Sequence, residues 1–152
     1  MTNQKLTANF WLDEFTISQT ATRMGIDNTP PADIIARLKT VTAPGMEKVR
    51  AGPMRGNVVT ISSGYRCPRL NAAVGGSSSS AHLWGWAVDF NCRRFGTPLA
   101  ICKAIAGSSI EYDQLIHEFG SWVHISFDPR MRGQELTIDR LGTRQGFLPV
   151  RG

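Results

Sequence analysis

At 152 residues, with 41% hydrophobic and 19% charged side chains, the chain has the size and composition of one globular domain with a sizeable core, not of a disordered or fibrous protein. Its formal net charge of +5 suits an acidic polymer, nucleic acid or an anionic cell wall. The basic residues are dispersed, with no run beyond Arg93-Arg94, so nucleic-acid binding gains no support beyond bulk charge.

The amino-terminal residues Met1-Thr2-Asn3-Gln4-Lys5 carry no apolar signal core, and no segment approaches the roughly 18 apolar residues of a membrane span. The expectation is synthesis in the cytosol and retention there unless another factor carries the protein out. A short helix is predicted from near Trp11, then a loop ending at Asn28-Thr29-Pro30-Pro31. Pro31 suits the first turn of a helix over roughly 31–52, where its missing N–H costs nothing. Ile34, Ile35, Leu38, Val41, Met46 and Val49 give that helix an apolar stripe, which Pro44-Gly45 kinks or divides.

The β-branched run 57–62 reads as a strand feeding the loop Ser63-Gly64-Tyr65-Arg66-Cys67-Pro68. A short helix over 69–74, a flexible Gly/Ser loop over 75–80 and a strand over 85–90 follow. Next come a helix at about 98–107 and a hairpin of 114–118 with 122–127. The stretch from Asp128 onward has weak periodicity and is expected to be mostly loop with a short strand or helix. Cys67, Cys92 and Cys102 are odd in number and lack CxxC spacing, which argues against a disulfide framework or a thiolate zinc site and for buried free thiols.

The chemistry concentrates in two segments. His82 and Asp89 lie in Ser80-Ala81-His82-Leu83-Trp84-Gly85-Trp86-Ala87-Val88-Asp89, and His124 in Trp122-Val123-His124-Ile125-Ser126-Phe127. Strand alternation puts Trp86, Val88 and Phe90 on one face and Gly85, Ala87 and Asp89 on the other; likewise Val123, Ile125 and Phe127 oppose Trp122, His124 and Ser126. Both candidate ligands therefore fall on the non-core face. Two imidazoles and one carboxylate are the three-ligand set that leaves Zn²⁺ a coordination position for water, the mark of a catalytic rather than a structural site.

The spaced motif Ser80-x-His82-x-x-Gly85-x-Ala87-x-Asp89, with Ser63-Gly64-Tyr65-Arg66 upstream and Trp122-Val123-His124 downstream, resembles the zinc D-alanyl-D-alanine carboxypeptidase family. That family includes bacterial cell-wall peptidases and bacteriophage endolysins and shares its fold with the Hedgehog signalling domain. Phe10-Trp11-Leu12-Asp13-Glu14-Phe15 and Asn28-Thr29-Pro30-Pro31 resemble segments of a small phage-encoded branch. The resemblance spans residues about 8–130. It implies an α+β fold in which a small antiparallel sheet carries the zinc and helices pack on its other face. Residues 1–152 would form a single domain with its core at about 8–130, and 131–152 a carboxy-terminal tail packing on or trailing from it.

The resemblance further implies a peptidase acting on peptidoglycan stem peptides or cross-links. His82, Asp89 and His124 would hold Zn²⁺, Arg66 would bind substrate and stabilise the oxyanion, and Ser80 would orient substrate or ligand. Relatives place the general base three or five residues before the last ligand, where this chain has Ser121 and Phe119, which cannot serve. Glu118 and His117 remain. A two-residue Gly120-Ser121 turn puts His117 on the face of His124, whereas a three-residue loop, Phe119-Gly120-Ser121, puts Glu118 there; a Gln-Leu-Ile-x-Glu-Phe-Gly-like run in phage relatives favours Glu118.

Trp84 and Trp122 are candidates for the cleft wall and Trp86 for the core. Specificity is expected from the loops around 75–80 and 90–97. The expected route to the wall is a holin-like pore or incorporation into a virion, with virion or tail proteins as partners. The rival readings are a virion component that keeps the fold with weak or no catalysis, and a zinc-stabilised binding module.

Overall fold

The computed structural model describes residues 2–152. Strands β1 (Thr60–Ser63), β2 (Ala87–Asn91), β3 (Gln114–Glu118), β4 (Trp122–Ser126), β5 (Gln134–Asp139) and β6 (Gly142–Gln145) form one sheet in the order β1-β2-β4-β3-β5-β6. The centre of the sheet is the β2–β4–β3 triplet, in which Asp89, His124 and Ile116 stand in register across neighbouring strands. Residues in register share a face. One face of the triplet is therefore aliphatic, with Val88, Phe90, Leu115, Val123 and Ile125 fully buried. The opposite face carries Asp89, His124 and Glu118.

The aliphatic face packs on helices. Helix α5 (Pro98–Ala106) brings Ile101, Cys102 and Ile105, and α3 (Ala43–Ala51) brings Met46 and Val49 into the same core. Thr97 caps α5, its hydroxyl accepting from the Ala100 N–H at 3.2 Å, and Pro98 sits in the first turn where its missing N–H is harmless. The predicted helix over 31–52 forms as α2 (Ala32–Arg37), a widened π-type turn (Leu38–Thr42) and α3. Pro44 offers no N–H to the preceding turn, and widening that turn relieves the clash its ring would cause. The Thr42 hydroxyl there donates to the Gly85 carbonyl at 2.5 Å, tying the helix to the loop after His82.

Three expectations are corrected. The sheet is mixed rather than antiparallel, because β5 runs parallel to β3, and the segment after Asp128 supplies two of its strands. In β5 the buried inward positions include Thr137 and Asp139, whose polar atoms are met by Gly146, Arg144 and Arg151. The apolar alternation that flags a strand is therefore missing from the sequence. The predicted loop before Asn28 also contains a helix, α1 (Gln19–Met24), capped by Ser18 and closed by Gly25 at φ +63°. It is too short to show a helical period. The short helix after Cys67 forms as α4 (Pro68–Ala73).

Candidate metal centre

His82 sits in a 3-10 turn (Ala81–Trp84) that the Ser80 hydroxyl caps by accepting from the His82 N–H at 3.2 Å. Gly85 closes that turn at φ +75°, a left-handed conformation that costs glycine little. The His82 ring is 2% exposed, and its Nδ1–H donates to the Gly64 carbonyl at 2.7 Å. That bond fixes the tautomer and leaves the Nε2 lone pair aimed at the site, 3.3 Å from Asp89 Oδ1. Gly64 is needed because a Cβ there would lie 2.5 Å from the Phe15 carbonyl oxygen.

Asp89 and His124 face each other across β2 and β4, with His124 Nδ1 3.0 Å from Asp89 Oδ1. One ligand atom from each of His82, Asp89 and His124 falls within 4.8 Å of the others. Ligand atoms on a tetrahedral Zn²⁺ at about 2.0–2.1 Å lie about 3.3 Å apart, so the cluster has the spacing and the donor chemistry for that ion. Burial works to raise the Asp89 pKa, but the neighbouring His82 and the hydrogen bond from His124 outweigh it and hold the carboxylate ionised. Burial lowers the His82 pKa and keeps that imidazole neutral, the form a metal ligand requires. Burial works against the charged form of His124 too, yet its bond to Asp89 raises its pKa.

The hairpin between β3 and β4 decides which neighbour joins the cluster. Glu118 pairs with Trp122, so the loop is Phe119-Gly120-Ser121, the three-residue alternative. Glu118 Oε1 then lies 3.9 Å from His124 Nδ1. His117 faces the opposite way, is 3% exposed, and bonds the Leu148 carbonyl through Nδ1 at 3.0 Å. Burial first, and then the charge of Asp89, push the Glu118 pKa up to about 7 against the pull of His124 and Arg66. The Trp122 indole also favours the ionised form, though its N–H closes no hydrogen bond. A carboxyl that titrates near neutrality is suited to taking and returning a proton.

Arg66 comes in from the loop after β1. Its backbone N–H donates to the His82 carbonyl at 3.1 Å, and its Nη2 lies 3.4 Å from Ser80 Oγ. Burial lowers its pKa, opposed by Asp89 and then Glu118, and a guanidinium keeps its charge through such a shift. Arg66, Asp89 and Trp122 share a cleft of about 880 Å³ whose other wall includes residues 17–20 and 58–63. The 75–80 loop approaches the cleft through Ser80, beside Arg66. Trp84 does not line the cleft and stands 56% exposed. Trp86 is half-buried under the Arg37 guanidinium, 4.4 Å above its ring.

One positioning residue carried no chemical signal in the sequence. Buried Asn28 donates from Nδ2 to the carbonyls of Thr16 and Tyr65, both at 2.9 Å, and accepts from the Cys67 N–H at 2.8 Å. It thereby locks the Ser63–Cys67 loop, with Gly64 and Arg66 in it, to the amino-terminal segment. The Asn-x-Pro-Pro pattern was the available hint, but without a metal-ligating or proton-transfer role for the side chain.

Two imidazoles, a carboxylate, a second carboxyl poised near neutrality and an arginine thus converge from three strands, the turn before β2 and the loop after β1, a set of groups suited to metal-assisted hydrolysis. The profile of the family described as Peptidase M15 matches residues 8–126, and the chain belongs to that family of zinc peptidases. A comparison with curated proteins gives no match. Among the described residues no helix is long and apolar enough to cross a membrane.

Proposed function

We propose that this M15 peptidase is zinc-dependent and hydrolyses peptide bonds in peptidoglycan stem peptides or cross-links. The observation that carries the reading is the convergence of His82, Asp89 and His124 within 4.8 Å, with Glu118 3.9 Å from His124 and Arg66 lining one cleft with Asp89. His82, Asp89 and His124 would hold the ion, and zinc supplies Lewis acidity toward a carbonyl and a water acidified to near neutrality. Glu118 takes the proton of the attacking water and delivers it to the leaving amine. Arg66, held by Ser80, meets the negative charge that develops on the carbonyl oxygen. Trp122 offers a flat apolar wall to the substrate beside Glu118.

The site works on a peptide that reaches it in the cell wall. The reading places the protein there through a holin-like pore or as part of a phage particle, with virion or tail proteins as its partners in the second case. The net charge of +5 favours an anionic wall polymer as the surface it meets.

The test is digestion of purified peptidoglycan by zinc-loaded protein, with fragments identified by mass spectrometry beside a His124→Ala control and a chelated sample. Fragments carrying new amino and carboxyl termini, present only with metal and an intact His124, identify the peptidase and its bond. An intact wall in the presence of one bound zinc per chain contradicts the reading and points to a retained fold in a structural or binding component.

A further inference from the structure

The family match ends at Ser126, yet residues beyond it contact the hairpin that carries Glu118. β5 pairs with β3 along its length, with Ile138 opposite Glu118, and the Phe119 N–H donates to the Ile138 carbonyl at 2.8 Å. After β6 the chain returns as residues 147–151, on the side of β3 to which His117 points. There the Leu148 carbonyl accepts from His117 Nδ1 at 3.0 Å, and the Leu148 N–H donates to Thr137 Oγ1 at 2.9 Å. Arg151 grips Asp139 with Nε and Nη2, both at 3.0 Å. Val150 packs on the loop itself, since a Cβ on Gly120 would meet its methyl at 3.1 Å.

What this segment touches is a strained turn. Phe119 holds φ +54° and Gly120 φ +67°. A bulky residue stays in that region only where its surroundings over-determine it. Relaxing Phe119 to an ordinary strand conformation favours the shorter Gly120-Ser121 turn. A one-residue slip of β3 against β4 exchanges its faces, turning His117 toward His124 and Glu118 away from it.

We infer that residues 147–151 form a brace, latched by His117, that holds the Phe119–Ser121 loop in its strained form and so positions Glu118. His117 is then a positioning residue that never touches substrate. The inference rests on the proposed peptidase reading for its catalytic consequence, but not for its structural one. The hydrogen bonds of residues 147–151 go to His117, Thr137, Asp139 and Arg144 and to none of His82, Asp89 and His124, so the brace controls the proton-transfer group without controlling the ion.

The experiment compares wild type with a chain ending at Gly146, His117→Leu, His117→Asn (which keeps a donor near the Nδ1 position) and Val150→Ser. Backbone amide exchange at Phe119 and Ser121 is read together with zinc stoichiometry and steady-state peptidoglycan hydrolysis. The brace predicts exchange at those two amides at least about tenfold faster in the shortened chain and in His117→Leu, with His117→Asn close to wild type. Zinc stoichiometry stays the same, and kcat falls about ten- to a hundredfold at unchanged KM. Unchanged exchange at Phe119 and Ser121 in His117→Leu and Val150→Ser overturns the brace, as does acceleration throughout the sheet accompanied by zinc loss. If wild type hydrolyses nothing, the peptidase reading fails, and the exchange result alone decides whether the brace exists. Should the shortened chain not fold, the two side-chain variants carry the test.

Discussion

Asp89 and Asp139 are both largely buried carboxylates held in the ionised form, and the difference between them separates the working part of this molecule from its scaffold. Asp139 is gripped by Arg151 and Arg144 and accepts the Leu141 N–H at 2.9 Å. Its partners never release their charge, so the arrangement has one state and serves to fasten β5 and β6. Asp89 lies between His82 at 3.3 Å and His124 at 3.0 Å. Imidazoles exchange a proton for a metal within the physiological pH range, so this arrangement has two states. Where a buried acid meets arginine the result is a rivet; where it meets histidine, a site.

The comparison breaks first on the ligands. Asp89→Ala and His124→Ala should each abolish metal-dependent hydrolysis, with a loss of at least about a thousandfold from removal of Lewis-acid catalysis, and should bind less than one zinc per chain. Steady-state assays with metal analysis check this. Retention of full zinc in either variant contradicts the assignment.

Glu118→Gln comes next. It should lower kcat by about 10²–10⁴-fold while zinc stays bound. It should also stabilise the metal-free protein, because the Glu118 pKa is raised in the folded state to about 7. Folding then costs nothing extra below the unfolded value of about 4.3, and the cost grows as pH rises through the window up to about 7. Denaturant unfolding without metal should show Glu118→Gln more stable than wild type by about 3 kcal/mol at pH 8 and nearly equal at pH 4. Equal stability at both pH values would mean that Glu118 is not under this tension.

Asp139→Asn should do the reverse, lowering the melting temperature while leaving zinc stoichiometry unchanged. The Arg151 hydrogen bonds lead in holding the Asp139 pKa below the ordinary carboxylate range. The stability they contribute is therefore present above about pH 4 and lost as pH falls toward the folded value. Wild type should lose stability in acid more steeply than the variant, and parallel acid unfolding curves would refute that. The smallest effect is expected for Arg66→Lys, which keeps the charge but loses the fixed fork. It should lower kcat by about tenfold, less than deletion of an oxyanion donor. A wild-type kcat would remove Arg66 from the machinery.

How much of this was legible in the sequence depended on whether a face was filled by the expected residue type. The meeting of Asp89 and His124 was, because β2 and β4 alternate cleanly, with Val88, Phe90, Val123 and Ile125 on one side and Asp89 and His124 on the other. The choice between Glu118 and His117 was open, because it turns on Phe119 adopting a positive φ, which no residue preference signals. β5 was hidden because buried Thr137 and Asp139 occupy its inward positions, and their partners come from residues 144–151. Asn28 was hidden because its work is done through backbone groups far away in the chain.

The central claim is that two imidazoles and a carboxylate, and no thiolate, hold one zinc ion. Zinc K-edge absorption on protein loaded with one equivalent tests it most directly. The account predicts nitrogen and oxygen scatterers only, two imidazoles per zinc in wild type and one or none in His124→Ala. A sulfur scatterer, or a spectrum unchanged by His124→Ala, would contradict it.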